Sequence, residues 1–508
     1  MEANNFHPLM LSIARACEII FSSPVADILN KIGLIWREVR VMVIIPAMKA
    51  AVVVSLIMSV MVLAEKLSMA LISLYAKLFR RRPERIYKCD PIAEDEELGT
   101  LAYPMVLVQI PMYNEKEDSV KKECEKWFTM GKNIKYETRD NRKGYKAGAL
   151  KEGMKHSYVE TCEYIAMFDA DFQPASDFLM RTVPFLVHNP SIALVQARWK
   201  FVNANECLMA RMQEMSMDYH FKVEQESGST SCAFFGYNGT AGVWRIQAIN
   251  EVGGWKDRTT VEDMDLAVRA GLGGWKMIFV GSIKVKSELP STFKAYRFQQ
   301  HRWSCGPANL FRKMLCDIMK AKKVSIWKKF YMIYSFFLVR RVLSHFATFF
   351  LYCVLMPLSV FFPEVEIPKW GTVYIPSTIT VLNAVGTPSS FHLIIFWVLF
   401  ENVMSLHRCK AVIIGLLEAG RANEWVVTEK LGDLLKTKPN IKVAKKYRFK
   451  LWERLHFLEL GLAVYLMICA CYDYHVGKDY YFVMIFPQAI AFVIMGVGCI
   501  GTIIPSDN

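Results

Sequence analysis

The chain has 508 residues, of which 53% are hydrophobic and 22% charged, and its mean hydropathy is +0.20. It is too apolar for an ordinary soluble domain and too charged for a protein lying wholly in a bilayer, so a soluble domain joined to membrane spans is predicted. The net charge of +14 favours anionic partners. Because the basic residues cluster beside apolar runs, we interpret them as anchors to membrane lipids and expect no nucleic acid partner.

The first long apolar run, Met42–Ala64, is predicted to be a transmembrane helix. It follows an amino-terminal tail, residues 1–41, and precedes a basic linker, residues 65–100. Residues 315–341 are predicted to form interfacial helices, since Phe330–Val339 is a short apolar run between basic pairs. Residues 342–504 are predicted to hold about four more spans: Val342–Phe362, Val373–Phe400, Phe457–Tyr472, which is short for a span, and Tyr480–Ile504.

Basic loops give the predicted orientation. The linker carries Arg80, Arg81 and Arg82, and the loop 418–454 is rich in Lys and Arg. Five spans place all the basic loops on the cytosolic side, with the amino terminus outside. The 13 cysteines form no Cys-x-x-Cys pair, which favours a reducing compartment and no structural metal.

The soluble part is predicted to be one α/β domain, residues 101–314. Three runs of β-forming residues predict strands: Met105–Ile110, Asn133–Thr138 and Tyr164–Phe168. Helical stretches alternate with them, which is typical of a parallel, doubly wound sheet. In such sheets ligands bind beyond the carboxyl ends of the strands. We therefore expect the site where the first and third strands end.

Asp169 and Asp171 follow the third predicted strand. Two residues apart in an extended chain, their side chains point the same way. Carboxylates so close repel each other unless a cation lies beside them, so the pair predicts a site for a divalent cation, Mg²⁺ or Mn²⁺. The alternative is an exposed acidic turn, which Pro174 supports. Because the pair ends a buried strand, we favour the metal site.

Asp263 has two interpretations. Thr260-Val-Glu-Asp263 resembles a capping box, with Thr260 as the N-cap of a helix and a carboxylate three positions on. If Glu262 shares the capping work, Asp263 is free to face the site as a catalytic base. The sequence alone leaves both open.

Gln299-Gln300-His301-Arg302-Trp303 is the most specific of these patterns. The guanidinium of Arg302 matches phosphate oxygens, and Trp303 offers a flat face on which a sugar ring can stack. A basic-aromatic membrane-interface helix explains Arg302 and Trp303 but not the paired glutamines.

Two glycine-bearing segments complete the candidate site. Lys143–Leu150 either wraps a nucleotide with backbone amides and Lys146 or is a turn before a helix. Asn238-Gly239-Thr240 matches a glycosylation sequon. Because the loop is predicted to be cytosolic, we interpret this sequon as a tight turn that faces the substrate.

Taken together, these segments resemble the processive family-2 glycosyltransferases, which include cellulose, chitin and hyaluronan synthases. The resemblance covers nearly the whole chain. It looks closest to the plant cellulose-synthase-like A branch, the glucomannan 4-β-mannosyltransferases, in four stretches: Gln109–Glu115, Gly144–Leu150, Tyr237–Arg245 and Gln299–Pro307.

The resemblance implies a glycosyltransferase A-type, nucleotide-sugar-binding domain inserted between transmembrane helices of the Golgi membrane. It also implies GDP-mannose and GDP-glucose as donors, and a growing β-1,4-glycan, the mannan or glucomannan of cell-wall hemicellulose, as acceptor. Asp169 and Asp171 then look like the metal and nucleotide-sugar pair, and Asp263 like the general base. The acceptor and diphosphate motif comprises Gln299, Gln300, Arg302 and Trp303.

The chain departs from the family pattern after the first predicted strand. There the family has a further helix and a strand ending in an Asp-Asp-Ser-type motif that holds the nucleotide base. Here only Lys116–Lys132 fills the gap, and its apolar residues at helical spacing predict one helix and no strand. A helix–strand unit of roughly 30–45 residues is therefore expected to be missing. Reduced affinity for the nucleotide is expected with it.

Three functions remain in competition. The first is an inverting mannosyltransferase. The second is a membrane protein of the same fold without catalysis, either a defective splice form or a non-catalytic subunit. The third is a related β-glucan synthase that uses UDP-glucose. Accessory proteins and further copies of the chain are left open as partners.

Overall fold

The computed structural model describes residues 24–92, 103–113, 117–420, 422–425, 455–477 and 480–501. Parts of the predicted segments lie outside these ranges: the first 23 residues of the tail, residues 93–100 of the basic linker, the first two residues of the domain, most of the basic loop at 426–454, and residues 502–504 of the last span. The segment predicted to fill the gap, Lys116–Lys132, has its first residue among the undescribed residues 114–116.

A five-stranded sheet forms the centre of the soluble domain. Its strands are β1 Val106–Gln109, β2 Tyr164–Met167, β3 Ile192–Phe201, β4 Gly242–Arg245 and β5 Lys276–Ser287. The order across the sheet is β1-β2-β4-β3-β5. β1 pairs in parallel with β2, and β3 with β5, whereas β4 runs antiparallel to both of its neighbours. The predicted α/β class is confirmed, with a mixed rather than wholly parallel sheet.

The direction of β4 follows from its connection to β3. The chain leaves β3 at the carboxyl-terminal edge of the sheet and folds residues 202–241 largely into helices. It then re-enters between β2 and β3 from that same edge, so β4 must run backwards. As a result, the residues just before β4 lie at the edge where β2 ends.

The sheet has a buried core on both faces. Ile165 and Met167 of β2 belong to one cluster, whereas Tyr164 and Ala166 belong to the other. This alternation is the period of two expected of a strand. All four residues are buried, so β2 is an internal strand that holds whatever follows it rigidly.

Helices surround the sheet and connect it to the membrane part. The helices up to the end of the domain are α1 Pro24–Val39, α2 Ile45–Leu78, α3 Pro83–Ile86, α4 Glu117–Thr129, α5 Tyr145–Gly153, α6 Phe178–His188, α7 Leu208–Tyr219, α8 Glu226–Cys232, α9 Ile246–Glu251, α10 Glu262–Leu272 and α11 Phe293–Lys320. π-Helical turns join α1 to α2 and α7 to α8. The predicted domain end at residue 314 therefore falls inside α11.

The gap after β1 holds one helix, as predicted. α4 spans Glu117–Thr129, and between it and β2 the structure assigns no strand in residues 130–163. The predicted strand Asn133–Thr138 is therefore wrong, since this segment has no regular structure. β1 pairs directly with β2 and is the edge strand of the sheet.

The carboxyl-terminal helices are α12 Ile326–Phe330, α13 Ser344–Thr348, α14 Met356–Ser359, α15 Ile375–Ala384, α16 Ile394–Leu417, α17 Phe457–Val476 and α18 Phe482–Gly496. Within the described ranges, four helical runs are long and apolar enough to cross a membrane: Asp27–Ile86, Ile326–Ser359, Pro388–Leu417 and Phe457–Val476. α18 is apolar but shorter. The chain is therefore described as a membrane protein.

Two predicted membrane segments need correction. Val373–Phe400 is not one span: it is divided between α15 and α16, and α16 continues to Leu417. The break precedes Pro388, which forces Thr387 out of the helical conformation, with φ −135° and ψ 74°. Averaged hydropathy does not detect such a break.

Phe330–Val339 does not form a separate interfacial helix. It lies inside the continuous run Ile326–Ser359. Arg340 directly follows the predicted interfacial run. Its side chain is buried, and its Nε donates to Glu65 Oε1 of α2 at 2.9 Å. Because its charge is paired within the helix bundle, it does not interrupt the helix.

Candidate active site

Segments far apart in the sequence meet at the carboxyl-terminal edge of the sheet. Asp169 follows β2, Gly239 precedes β4, and Asp263 lies in the first turn of α10. A Cβ added to Gly239 would lie 2.7 Å from Asp263 Oδ2. Gly239 also has φ +77°, a conformation that favours glycine. The sequon is thus a tight turn against Asp263.

Asp169 is held by two contacts. Its backbone N–H donates to Thr240 Oγ1 at 2.9 Å, and its carboxylate forms an ion pair with Lys146. Lys146 Nζ also donates to the Gly239 carbonyl at 2.8 Å. Burial acts to lower the pKa of Lys146, but Asp169, Glu262 and Asp263 outweigh it and raise that pKa. Lys146 is therefore a permanently charged ammonium among carboxylates.

Asp171, the other member of the predicted pair, has a different neighbour. Ser287 Oγ, at the end of β5, donates to Asp171 Oδ2 at 3.3 Å. The two aspartates therefore lie at the same edge, but only Asp169 contacts Lys146 in the described residues.

The segment Lys143–Leu150 contains a strained turn that directs Lys146. Gly144 and Tyr145 have φ of +72° and +48°, and α5 begins at Tyr145. Gly148 N donates to Gly144 O at 2.8 Å, and a Cβ added to Gly148 would overlap Lys143 O at 2.1 Å. The glycine-bearing turn is therefore present. A role in holding nucleotide stays a prediction.

The capping-box interpretation of Asp263 is wrong. α10 begins at Glu262, and its N-cap residue is Val261, which makes no side-chain capping bond. Thr260 is instead buried and lies against α11, where a Cβ added to Gly306 would be 3.0 Å from Thr260 Oγ1. Asp263 Oδ1 accepts from the adjacent Met264 N–H at 2.7 Å. Its other oxygen faces Gly239, as a candidate base must.

Glu262 and Asp263 are adjacent acids in the first turn of α10, Glu262 buried and Asp263 half-buried. Burial, followed by the charge of Asp263, raises the pKa of Glu262 to about 8. Burial also raises the pKa of Asp263, while Lys146, the Met264 N–H and Arg302 act to lower it. Lys146 and Arg302 thus partly offset the effect of burial on the pKa of Asp263, and Glu262 retains a proton near neutral pH.

A cluster of charged side chains that the sequence did not predict binds Asp265 of α10. Asp265 is fully buried and accepts from Arg258 Nε at 2.8 Å and from Arg269 Nε at 2.7 Å. Lys313 of α11 donates to the Arg258 carbonyl at 2.8 Å. In the sequence, the one indication of this cluster is a third acidic residue, Asp265, two positions after Asp263.

α11 carries the predicted acceptor and diphosphate motif. Gln299 and Gln300 are buried, and Arg302 acts electrostatically on Glu262, Asp169 and Asp263. The motif thus lies beside the acidic site, as expected.

Trp425, in the basic loop, was also missed. The Arg302 guanidinium lies 4.3 Å from the centre of its ring. Arg142 Nη2 donates to the Trp425 carbonyl at 3.2 Å, and the Tyr145 ring lies 6.2 Å away. Trp425 therefore covers Arg302 and links the basic loop to the start of α5.

A cavity of about 810 Å³ runs from this site into the membrane helices. At its domain end the lining includes Asp263, Gln299, Gln300 and Trp303; further along it includes Val62, Arg340, Thr348, Tyr352 and Gln488. The acidic site, the glutamine pair and the helix bundle thus share one continuous space.

The carboxylates fit a divalent cation only if other ligands complete the site. Within the described residues, no group of three or more His, Cys, Asp or Glu is arranged to hold a metal. Mg²⁺ in particular is commonly bound by one or two carboxylates together with substrate phosphates. Asp169 and Asp171 would match that pattern, and to hold the ion Asp169 would have to release Lys146.

These features define a class: a membrane protein whose α/β domain presents an acidic site to a cavity that is also lined by the candidate membrane helices. Comparisons with known proteins identify the family. Residues 164–399 match the family described as "Glycosyl transferase family group 2". Glucomannan 4-beta-mannosyltransferase 1 of Oryza sativa subsp. japonica is 60% identical over 93% of this chain and 97% of its own. Glucomannan 4-beta-mannosyltransferase 9 of Arabidopsis thaliana is 59% identical over 94% and 96%. The chain belongs to the glucomannan 4-beta-mannosyltransferase family.

A solved structure is also similar, a mannosyltransferase of Pyrobaculum calidifontis in complex with GDP-Man and Mn²⁺. It is 15% identical, with a TM-score of 0.43, and the match covers 73% of this chain and all of that one.

The alignment with the rice relative also bears on the gap. It runs over 507 positions but takes in 93% of the 508 residues here, so about 35 positions of the relative lack a counterpart in this chain. That number agrees with the size of the helix–strand unit expected to be missing.

Proposed function

We propose that the chain is an inverting mannosyltransferase that polymerises β-1,4-linked mannose from GDP-mannose, and glucose from GDP-glucose, into a mannan or glucomannan backbone. One observation carries the proposal: half-buried Asp263 lines a cavity that it shares with Gln299, Trp303 and residues of the membrane helices. The donor is supported by the relatives, which are named glucomannan 4-beta-mannosyltransferases at 55–60% identity.

In the proposed reaction, the 4-hydroxyl oxygen of the acceptor attacks the anomeric carbon of the donor mannose. The bond from that carbon to the diphosphate oxygen breaks on the opposite face, so the configuration inverts. Asp263 takes the hydroxyl proton as general base. The leaving GDP carries away the electron pair of the broken bond.

The cationic residues stabilise the charge that develops on GDP. Lys146 contacts Asp169 and the Gly239 carbonyl, and Arg302 lies among the same acids. Both are placed to receive phosphate oxygens, Arg302 through its planar fork. Asp169 and Asp171 would hold a Mg²⁺ or Mn²⁺ ion, which would neutralise diphosphate charge.

The membrane part is proposed to conduct the product. The cavity joins the acceptor motif to Tyr352 and Gln488, which lie in carboxyl-terminal helices. A polymer extended at Asp263 can therefore move along this space as residues are added. We propose the Golgi membrane as the location, with the catalytic domain on the cytosolic side.

The test uses microsomes from a host without mannan synthesis that expresses the full chain. They receive radiolabelled GDP-mannose and Mn²⁺, and the product is digested with endo-β-1,4-mannanase. We expect mannanase-sensitive polymer from the wild type and none from Asp263→Asn, the matched control. Absence of polymer from the wild type contradicts the proposal, and equal polymer from both chains contradicts the role of Asp263.

One observation favours the second candidate, a non-catalytic subunit of the same fold. β1 is the edge strand, and about 35 positions of the rice relative are lacking (507 aligned positions against 93% of 508 residues). A chain with the missing unit restored distinguishes the two candidates: polymer from the restored chain alone supports the non-catalytic subunit.

A further inference from the structure

Membrane helix α16 is hydrogen-bonded to the predicted acceptor motif through one buried arginine, Arg408. Arg408 is 8% exposed, and its guanidinium bonds in three directions. Nε donates to Gln300 Oε1 at 2.8 Å, and Nη2 donates to Tyr296 Oη at 3.1 Å. The remaining contacts go to the carboxylate of Glu401, with Nη2 to Oε1 at 3.2 Å. Gln300 and Tyr296 are one turn apart on the same face of α11.

These contacts fix which way the amide of Gln300 faces. A guanidinium has five N–H donors and no acceptor, so the atom of Gln300 beside it must be the oxygen. The NH₂ group is then directed away from Arg408. Among the described residues no hydrogen-bond acceptor contacts Gln300 Nε2. Since Gln300 lines the large cavity, this donor is available to a ligand there.

The available donor lies beside the predicted sugar platform. Trp303 is three positions after Gln300, so the two side chains share one face of α11. Both line the same cavity as Asp263. A sugar stacked on Trp303 would thus have Gln300 within reach of its hydroxyl oxygens.

Arg408 is itself held in place by a network of three helices. Glu401, two turns earlier on α16, accepts from Ser216 Oγ of α7 at 3.3 Å. Trp397 Nε1 donates to that same hydroxyl at 3.0 Å. Separately, His407 Nε2 lies 2.9 Å from the Arg297 carbonyl of α11. Because α16 is fixed to both α7 and α11, the position of Arg408 is determined by the membrane bundle.

We propose that Arg408 is a positioning residue for acceptor binding. It orients Gln300 so that the amide NH₂ donates to a hydroxyl of the terminal sugar of a β-1,4-linked mannan acceptor. The inference deepens the proposed function, because the acceptor it names is the one proposed above. In this proposal Arg408 acts through Gln300.

The test measures mannohexaose binding to the full-length chain in detergent, by titration calorimetry, with GDP binding measured separately. Gln300→Met keeps the side-chain length and removes the amide. We expect about tenfold weaker mannohexaose binding, the size of one hydrogen bond, with GDP affinity unchanged. Arg408→Lys keeps a positive charge beside Glu401 but loses the planar fork, and we expect a similar loss.

A double-mutant cycle then separates positioning from general destabilisation. If Arg408 acts through Gln300, the double variant binds mannohexaose as weakly as Gln300→Met alone. Additive losses, or an unchanged affinity in either single variant, overturn the proposal. A loss of GDP affinity equal to that of mannohexaose indicates a merely structural role and overturns it as well. If Arg408→Lys does not accumulate, Glu401→Gln replaces it, since this keeps the guanidinium but loosens its anchor.

Arg312→Lys is the matched control, because Arg312 also lies on α11 but is exposed and pairs with Glu418 rather than with Gln300 or Arg408. We expect its mannohexaose affinity to stay close to that of the wild type. The measurement requires no transfer, so the two proposals fail separately. A wild type that binds mannohexaose but transfers no mannose contradicts the proposed function alone. A wild type that does not bind mannohexaose contradicts the positioning role.

Discussion

Near neutral pH the folded protein keeps the Glu262 carboxyl group protonated, whereas the unfolded chain releases that proton. Replacing Glu262 with glutamine removes this titrating group and leaves a neutral side chain at every pH. Burial, and then Asp263, raises the pKa of Glu262 from 4.5 to about 8. Because the folded pKa is the higher one, the contribution to stability is complete below pH 4.5 and is lost as the pH rises towards 8. Each pH unit in that window costs about 1.4 kcal/mol. At pH 7 the wild type has therefore lost about 3 kcal/mol that a neutral side chain retains.

Glu262→Gln should accordingly melt at a higher temperature than the wild type at pH 7, by about 6 °C or more for a domain of this size. The difference should vanish near pH 4.5. The measurement is thermal unfolding in detergent across this pH range, with Glu160→Gln as control because Glu160 is an exposed carboxylate. A difference of the same size at every pH, or a less stable Glu262→Gln at pH 7, refutes the raised pKa of Glu262.

Three further predictions concern the donor and acceptor steps. Asp263→Asn should lower transfer about 10²–10⁴-fold, the usual contribution of a general base, while GDP-mannose binding in a filter assay stays unchanged; weaker donor binding contradicts the assigned role. Asp169→Asn should cost at least about 2 kcal/mol of Mn²⁺-dependent GDP binding, measured by calorimetry with and without the ion, and unchanged Mn²⁺ dependence supports a simple acidic turn. Inserting the missing helix–strand unit of the rice relative between Glu117 and Asp118 should tighten GDP binding about a hundredfold, and an unchanged affinity contradicts the interpretation of the gap.

The local elements of the site could be predicted because their signals are local. A continuous apolar run predicts the buried strand β2, and the aspartates after it must lie at the edge of the sheet. Lys146 is expected near Asp169 and Asp171 by the same rule, because it lies in the first turn of helix α5 at that edge of the sheet. The order of the strands was not readable, because the reversal of β4 depends on how residues 202–241 fold between two strands.

The failed strand prediction has a different cause. Asn133–Thr138 has alternating β-forming residues but remains irregular. β-Propensity reflects packing against neighbouring strands rather than an intrinsic preference of the backbone. Without a partner strand, the alternating pattern at Ile134 and Tyr136 is insufficient to form a β-strand.

Contacts between distant segments lay beyond the sequence altogether. Arg408 and Gln300 are 108 positions apart, and Arg340 and Glu65 are 275 apart. Sequence patterns mark basic residues in apolar helices, but they assign no partner to any of them. Arg340-Arg341 was therefore interpreted as the end of an interfacial segment when it lies inside a helix.

The gap affects one side of the site and leaves the other intact. Within the part of the chain that the structure describes, β1 has a partner strand on one side only, and Val108 and Ile110 are 45% and 48% exposed. In α4, Trp127 and Phe128 are exposed as well. An exposed apolar edge strand and an exposed apolar helix surface are what removal of a covering helix–strand unit leaves behind. The acceptor side is built from α10, α11 and α16, none of which contacts that edge through a described hydrogen bond. Affinity for GDP should therefore fall while affinity for mannohexaose is retained. This separation makes the test of Arg408 informative even if the chain transfers mannose slowly.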